Sequence, residues 1–327
     1  MEYPSSQTTI VPLSTTTAAF HDPFCPNGTL PRSSQIALIC LNCCCYVLAS
    51  GGNILVLLAI YKTRSLRKIS MYFLASLSSA DLLVAFTMNP IYTLIPFVYN
   101  YDDDQVPTNF FFILTKIENF LWVQTLTATT FSLCAVTIDR YIAVSFPLRY
   151  PELVTNQRCL IAVIFIWVFS FIFSATLFFY TDFDSREVFW LICSILTVGI
   201  PFVVILFCNF KMAAVARRQV RQIREMSVVS GPESSRPTRS ETTSNKKATF
   251  TALIVSSTFF LLFFPGMVVF AMLLLAKDEC RALELNLVWL WAASISFLHS
   301  AFNPWIYCVR GREFRAAIKK MLCKCRK

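Results

Sequence analysis

Residues 110–138 read FFFILTKIENFLWVQTLTATTFSLCAVTI, and Asp139-Arg140-Tyr141 follow at once. The run is long enough to cross a bilayer as a helix, which takes roughly 20 predominantly apolar residues. It ends in a charge pair that is costly in hydrocarbon, so its meaning depends on which side of a membrane the pair faces. Six further runs of similar length flank it, at 36–61, 71–99, 160–180, 188–210, 249–276 and 285–309. Composition agrees, with 56% hydrophobic residues, 31 phenylalanines and only 15% charged residues in 327, where a soluble domain carries about 25% charged residues. Buried helices of a soluble core do not account for so many runs in series. The runs are continuous rather than alternating, which excludes a strand barrel. The expected fold is an all-α membrane protein, a seven-helix bundle with a short amphipathic eighth helix.

Lysine and arginine in short loops set orientation. The loops at 62–70, 139–159, 211–248 and 310–327 hold 24 of the 29 basic residues and 6 acids. The opposite side, counted with Lys116 and Glu118, holds 5 basic residues and 12 acids. The first set is therefore cytoplasmic, and residues 1–35 form an extracellular tail. No charged n-region with a cleavage pattern precedes the first run, so no cleaved signal peptide is expected. The basic residues spread along loop edges where lipid headgroups sit, so the bilayer is their partner and nucleic acid is not. Asn27-Gly28-Thr29 places a glycosylation sequon outside. Asp139-Arg140-Tyr141 falls at the inner mouth of the bundle.

Polar residues deep in the runs carry the next layer of information. Asp81 lies mid-span in LSSADLLVAF, and an intramembrane acid nearly always faces the bundle or a water-filled cavity. Asn53 in GGNILV and Asn303 in AFNPWIY are deep amides, each able to satisfy backbone groups freed by nearby glycine or proline. Pro90, Pro201, Pro265 and Pro304 each remove an intrahelical hydrogen bond. Kinked helices can repack between two arrangements, as signalling proteins, transporters and channels all do.

Taken in order, these stretches resemble the rhodopsin-like (class A) G-protein-coupled receptors. The matches are GGNILV at Asn53, LSSAD at Asp81, DRYIAVSFPLRY from Asp139, Trp167, Pro201, FFPG at Pro265, and NPWIY at 303–307 with Phe314 after a six-residue gap. They span essentially residues 36–320. The resemblance implies a receptor domain over 36–309 at the plasma membrane that binds an extracellular ligand. It also implies that a cytoplasmic cavity opens to a heterotrimeric G protein. Asp139, Arg140 and Tyr141, with Asn303, Pro304 and Tyr307, would form the coupling switch. Arg140, with its permanent charge and rigid fork of donors, would be held by Asp139 at rest and released on activation. The acid that family members often carry at the inner end of span six is Asn245 here, so appreciable ligand-independent signalling is expected. Asp81, Thr129 and Asn303, with Asn53 nearby, match the family's sodium pocket, an allosteric Na+ site. His299 stands where an amide is usual. An unperturbed imidazole titrates near 6.5, so His299 beside Asp81 is a candidate proton sensor.

GREFRAAIKKMLCKCRK, within residues 310–327, reads as an amphipathic helix along the inner leaflet. Phe314 and Ile318 lie on one face, and Cys323 and Cys325 resemble palmitoylation sites. That tail has no serine or threonine. Receptor kinase and arrestin would therefore use the third inner loop, about 211–248, whose SVVSGPESSRPTRSETTS reads as unstructured.

The sequence departs from the family pattern at the outer face. The usual span-three cysteine is Thr115, and the short second outer loop, TDFDSREV, has no cysteine. Of the 13 cysteines, Cys25 and Cys280 form the candidate outside disulfide, in the compartment that favours one. These traits resemble melanocortin receptors and their wider group with cannabinoid, lysophospholipid and adenosine receptors. The acids that melanocortin receptors use for calcium and a basic peptide fall at Ile91, Thr115 and Asn119, and Pro201 is present where those receptors lack a proline. The aspartate of amine receptors falls at Trp122. The retinal lysine of opsins falls at Phe297, so no retinal cofactor is expected.

Glu118, Trp122 and Leu126 stack on one face of span three at four-residue spacing. Family geometry adds Cys193, Thr197, Phe263, Met267, Phe270, Trp289, Ala293 and Phe297 to the expected pocket. The set is apolar and aromatic with one acid at the rim, which suits a lipid, a hydrophobic small molecule or a hydrophobic peptide. A transporter or channel is the alternative reading, but no internal repeat is present. No nucleophile, phosphate-loop or metal-ligand motif points to an enzyme or a metal site.

Overall fold

The computed structural model describes residues 30–98, 108–179, 183–229, 239–276 and 278–324. Among them, seven helices are long and apolar enough to cross a membrane: Arg32–Lys62, Met71–Pro96, Ile113–Ser145, Asn156–Phe178, Val188–Val215, Phe250–Leu275 and Cys280–Arg310. They are called spans one to seven below. A further helix, Arg312–Lys324, follows span seven. Span three packs against spans two, four, five and six, and span seven against spans one and six. Spans two, three and seven are accordingly more than half buried, whereas span four shows most of its surface to lipid. Apolar side chains on that outer surface need no protein partner, because lipid solvates them.

Since lipid supplies no hydrophobic drive between helices, small and polar residues make the seams. Gln124 of span three donates to Ser170 of span four (3.2 Å) and accepts from Ser174 (3.1 Å). Ser76 of span two pairs with Ser132 (2.8 Å) and accepts from Trp167 Nε1 (3.2 Å).

Each proline is accommodated locally. Pro90 and Pro201 lack the N–H that would bond the carbonyl four residues back, at Phe86 and Thr197. Those two residues sit inside π-helical turns, Val84–Met88 and Ile195–Gly199, where the ladder loosens. Pro265 and Pro304 lie within continuous helix. Pro304 leaves the Ser300 carbonyl without its helical donor, and Asn53 of span one supplies the replacement. Its Nδ2 donates to Ser300 O and to Ala49 O, both at 3.0 Å. Next to it, a Cβ on Gly52 would lie 2.8 Å from Cβ and Cγ of Pro304. The proline ring cannot swing aside, so glycine at 52 sets how closely spans one and seven approach. Gly52→Ala is expected to cost about 1–3 kcal/mol through overpacking and to lower both cell-surface yield and melting temperature. A variant indistinguishable from wild type on both measures would show that spans one and seven separate freely.

Several helices run beyond the apolar runs. Span three lies within a helix Thr108–Ser145, so Asp139-Arg140-Tyr141 sits inside a helix and not in the loop that the end of the run marks. Helix Ile200–Val229 and helix Arg239–Leu275 carry structure into the segment read as an unstructured third inner loop. The first span begins at Arg32, four residues before the expected start. The C-terminal helix buries Phe314 and Ala317 and packs Ile318 and Met321 against the bundle. Lys68 of the first inner loop bonds Glu313 at 3.0 Å.

Candidate functional site

Three polar or aromatic centres lie along the bundle. The outermost is a pocket of about 1010 Å³, open mouth included. Glu118, Trp122 and Leu126 of span three line it, as the four-residue spacing requires. Span five adds Cys193 and Thr197, span six Phe263, Met267 and Phe270, and span seven Trp289. Two expected residues stand behind the wall. Phe297 is edge-on to Tyr92 (5.1 Å) and packs on Trp122 (5.8 Å), while Ala293 is buried. Trp122 is the hub of the rings, with centroids 5.1 Å from Trp289 and 6.5 Å from Phe263.

Sequence reading missed Tyr92, Trp190, Asn119 and Asn286. Trp190 and Asn286 precede Cys193 and Trp289 by three residues and line the same cavity, so helical periodicity could have reached both. Tyr92 follows the π-helical turn of span two, across which a constant period cannot be carried. Its hydroxyl donates to Glu118 Oε1 at 2.9 Å and accepts from Trp289 Nε1 at 3.2 Å.

The middle centre surrounds Asp81, which is fully buried. Oδ2 accepts from Asn303 Nδ2 at 2.8 Å, and Oδ1 faces His299 Nε2 at 3.6 Å. The other ring nitrogen, Nδ1, lies 2.5 Å from Ser296 O. A carbonyl can only accept, so Nδ1 carries the hydrogen and Nε2 is turned toward Asp81. Asp81 Oδ1, Thr129 Oγ1 and Ser78 Oγ are buried without hydrogen-bond partners. Asp81 Oδ1 is an oxygen that suits a hard cation, but the His299 nitrogen already stands beside it. Asn53 lies in the neighbouring seam with Ser300, bonded as described above.

At the end of span three away from the pocket, Arg140 Nε donates to Asp139 Oδ2 at 2.8 Å, and Nη2 donates to the same oxygen. Tyr150, from the short inner helix Tyr150–Leu153, donates its hydroxyl to Asp139 Oδ1 at 2.8 Å. Burial, then the nearby Asp139 charge, hold the Tyr150 phenol well above its ordinary value, so it remains a donor. Tyr141 points elsewhere, with its ring 6.2 Å from Phe146 and 6.3 Å from Phe207. Pro304 meets Gly52, and buried Tyr307 stacks near Phe314 at 6.3 Å.

Of the expected modification sites, Cys280 is disulfide-bonded, and Cys25, Asn27 and Cys325 lie outside the described residues. Cys323 is in the C-terminal helix.

Residues 52–307 match the family described as 7 transmembrane receptor (rhodopsin family). The chain belongs to the rhodopsin family of seven-transmembrane receptors. It is a multi-pass membrane receptor that acts through G proteins, not an enzyme. This receptor is 27% identical over 321 residues to the histamine H2 receptor of Cavia porcellus, covering 91% of this chain and 84% of that one. The Homo sapiens histamine H2 receptor is 28% identical over 322 residues, with the same shares. The octopamine receptor beta-1R of Drosophila melanogaster is 27% identical over 334 residues, 89% of this chain and 63% of that receptor. All three are named for amines, whereas the outer-loop features resemble melanocortin-type receptors. The family match displaces the transporter or channel reading.

Proposed function

We propose that this receptor stands in the plasma membrane with residues 1–35 outside. Occupancy of the aromatic pocket by a small, largely hydrophobic extracellular ligand then releases Arg140 to a heterotrimeric G protein. One observation carries the reading: the pocket wall and the Asp139–Arg140 pair belong to a single helix, Thr108–Ser145. Glu118 and Arg140 are 22 residues apart on it, about 33 Å at 1.5 Å per residue. A ligand bearing on Trp122 thus acts on the same rigid element that presents Arg140, with the Asp81 centre between them. The melanocortin-like features, a short second outer loop and a bonded Cys280, concern the rim and leave ligand chemistry to the pocket. Receptor kinase and arrestin would act on the serines and threonines between the helices of spans five and six, and palmitate on Cys323 and Cys325 would hold the C-terminal helix to the inner leaflet.

The test is guanine-nucleotide exchange in membranes from expressing cells, screened against amine, lipid, nucleoside and peptide libraries. Stimulated exchange that Trp122→Ala lowers at equal surface expression is the expected result. Stimulation that Trp122→Ala, Phe263→Ala and Trp289→Ala all leave intact would move the ligand site elsewhere.

A further inference from the structure

We propose that the ligand of this pocket is an organic cation, one ammonium group on an aromatic or bulky apolar body, and that Glu118 is its counter-ion. The inference rests on the receptor reading above and names the ligand class of the same pocket.

Glu118 is 7% exposed and lies on the pocket wall. Tyr92 fixes one of its oxygens, and Trp289 fixes Tyr92, so the carboxyl is held by a short chain of donors. Among the described residues, no lysine, arginine or histidine pairs with it. An ionised carboxylate taken out of water loses several kcal/mol of solvation unless a positive partner is supplied. The open side of the carboxyl is the pocket itself, so the partner arrives with the ligand.

The remaining wall selects which cation. Trp122 and Trp289, 5.1 Å apart, both line the space beside the acid, and Tyr92 backs Trp122 at 6.3 Å. Indole and phenol faces attract organic cations. Hard metal ions instead require six or more oxygens, and no cluster of three acidic, histidine or cysteine ligands exists among the described residues. An anion would meet the carboxylate directly. Asn286 contributes a further selective contact, because its buried amide nitrogen has no hydrogen-bond partner and its residue lines the cavity. A ligand with one acceptor group satisfies it.

Glu118 stands one helical turn outward of Trp122, where the resemblance places the amine-binding aspartate. The charged end is therefore anchored about 6 Å nearer the outer mouth, and the apolar body reaches inward past Trp122 toward Leu126 and Phe263.

Matched probes separate charge from shape. Purified full-length receptor is titrated with 2-phenylethylamine, tyramine and tryptamine, with the alcohols 2-phenylethanol, tyrosol and tryptophol, and with the acids phenylacetate, 4-hydroxyphenylacetate and indole-3-acetate, following the melting temperature. The expected result is that at least one amine raises the transition, its alcohol raises it less and its acid not at all. Glu118→Gln then weakens that amine by at least ~30-fold, the scale of a desolvated charge pair losing one member, and leaves the alcohol nearly unaffected. Glu118→Asp, which keeps the charge on a shorter arm, recovers part of the loss and shows that the loss is not one of folding. Equal binding of amines and alcohols, absence of binding by every amine, or an amine preference that survives Glu118→Gln would each overturn the proposal. Because binding is read without a G protein, amine binding through Glu118 with no stimulated exchange would sink the receptor mechanism while leaving the ligand class standing.

Discussion

Replacing Asp139 by asparagine is expected to raise ligand-independent nucleotide exchange about tenfold, whereas Arg140→Ala abolishes exchange and leaves ligand binding in the outer pocket intact. The Asp139 carboxylate is buried and receives three donors: two from the Arg140 guanidinium and one from the Tyr150 hydroxyl. Hydrogen bonds to a charged group contribute roughly 1.5–3 kcal/mol each. Asparagine keeps the shape but loses the charge and offers one acceptor oxygen where two are used. A loss of only ~1.4 kcal/mol from the resting state shifts a two-state equilibrium tenfold. Tyr150→Phe removes a single neutral donor, so a smaller, few-fold rise is expected. In the proposed switch Arg140 is the group that reaches the G protein, so Arg140→Ala leaves release without an effect. Asn245, in the helix Arg239–Leu275, stands where family members often place a second acid, and Asn245→Glu should lower the basal rate toward that of a doubly clamped receptor. Exchange measured at matched surface expression decides the matter. Asp139→Asn with no more basal exchange than wild type would show that this pair is not what keeps Arg140 at rest.

The parts of this architecture that were legible in sequence are those whose physics is local. Apolar runs longer than the bilayer, basic loops on one side, and acids or amides inside the runs each follow from single-segment solvation. The grouping of Asn303 with Asp81 came from the resemblance to the family's sodium pocket, and the bond between them was not legible in the residues alone, which read Asn303 as a partner for backbone freed by Pro304. Where the helices end was less legible. Residues 211–229 are rich in Ala, Arg, Gln and Met, good helix formers, yet their charge makes them read as loop, and water rather than lipid solvates the continuing ladder. Tyr92 was missed because the π-helical turn before it breaks the period by which faces are counted. The tether that Tyr92 makes from Trp289 to Glu118 joins residues 118 and 289 through residue 92, and no local pattern encodes that.

The His299–Asp81 pair gives the second large effect, in which one cation dependence is exchanged for another. His299 Nδ1 is committed to Ser296 O, so Nε2 faces Asp81 Oδ1 across 3.6 Å. With no proton between them, a nitrogen lone pair opposes a buried carboxylate that has only Asn303 as donor. With one proton, on either atom, the two become complementary. Other titratable groups near Asp81 are Tyr307 of span seven and Cys45 of span one. Span six presents Phe259 edge-on to His299 at 5.0 Å, so movement of that span disturbs the ring. In the proposed switch, the arrangement with Arg140 held by Asp139 is the resting one, and a proton shared by His299 and Asp81 would favour it. Acid therefore favours rest, and agonist potency should rise with pH, by no more than about tenfold per unit because a single proton is involved. In His299→Asn the ring nitrogen is gone, and Asp81 Oδ1 is left for a hard cation, the ion that the resemblance to the family's sodium pocket implies. The pH slope should flatten, and replacing choline by sodium should now lower agonist affinity. Asp81→Asn should remove both dependences. The chain has two histidines, so His21→Ala is the control that separates an outer-tail effect. A full pH slope persisting in His299→Asn would assign proton sensitivity to another group and leave His299 a packing residue.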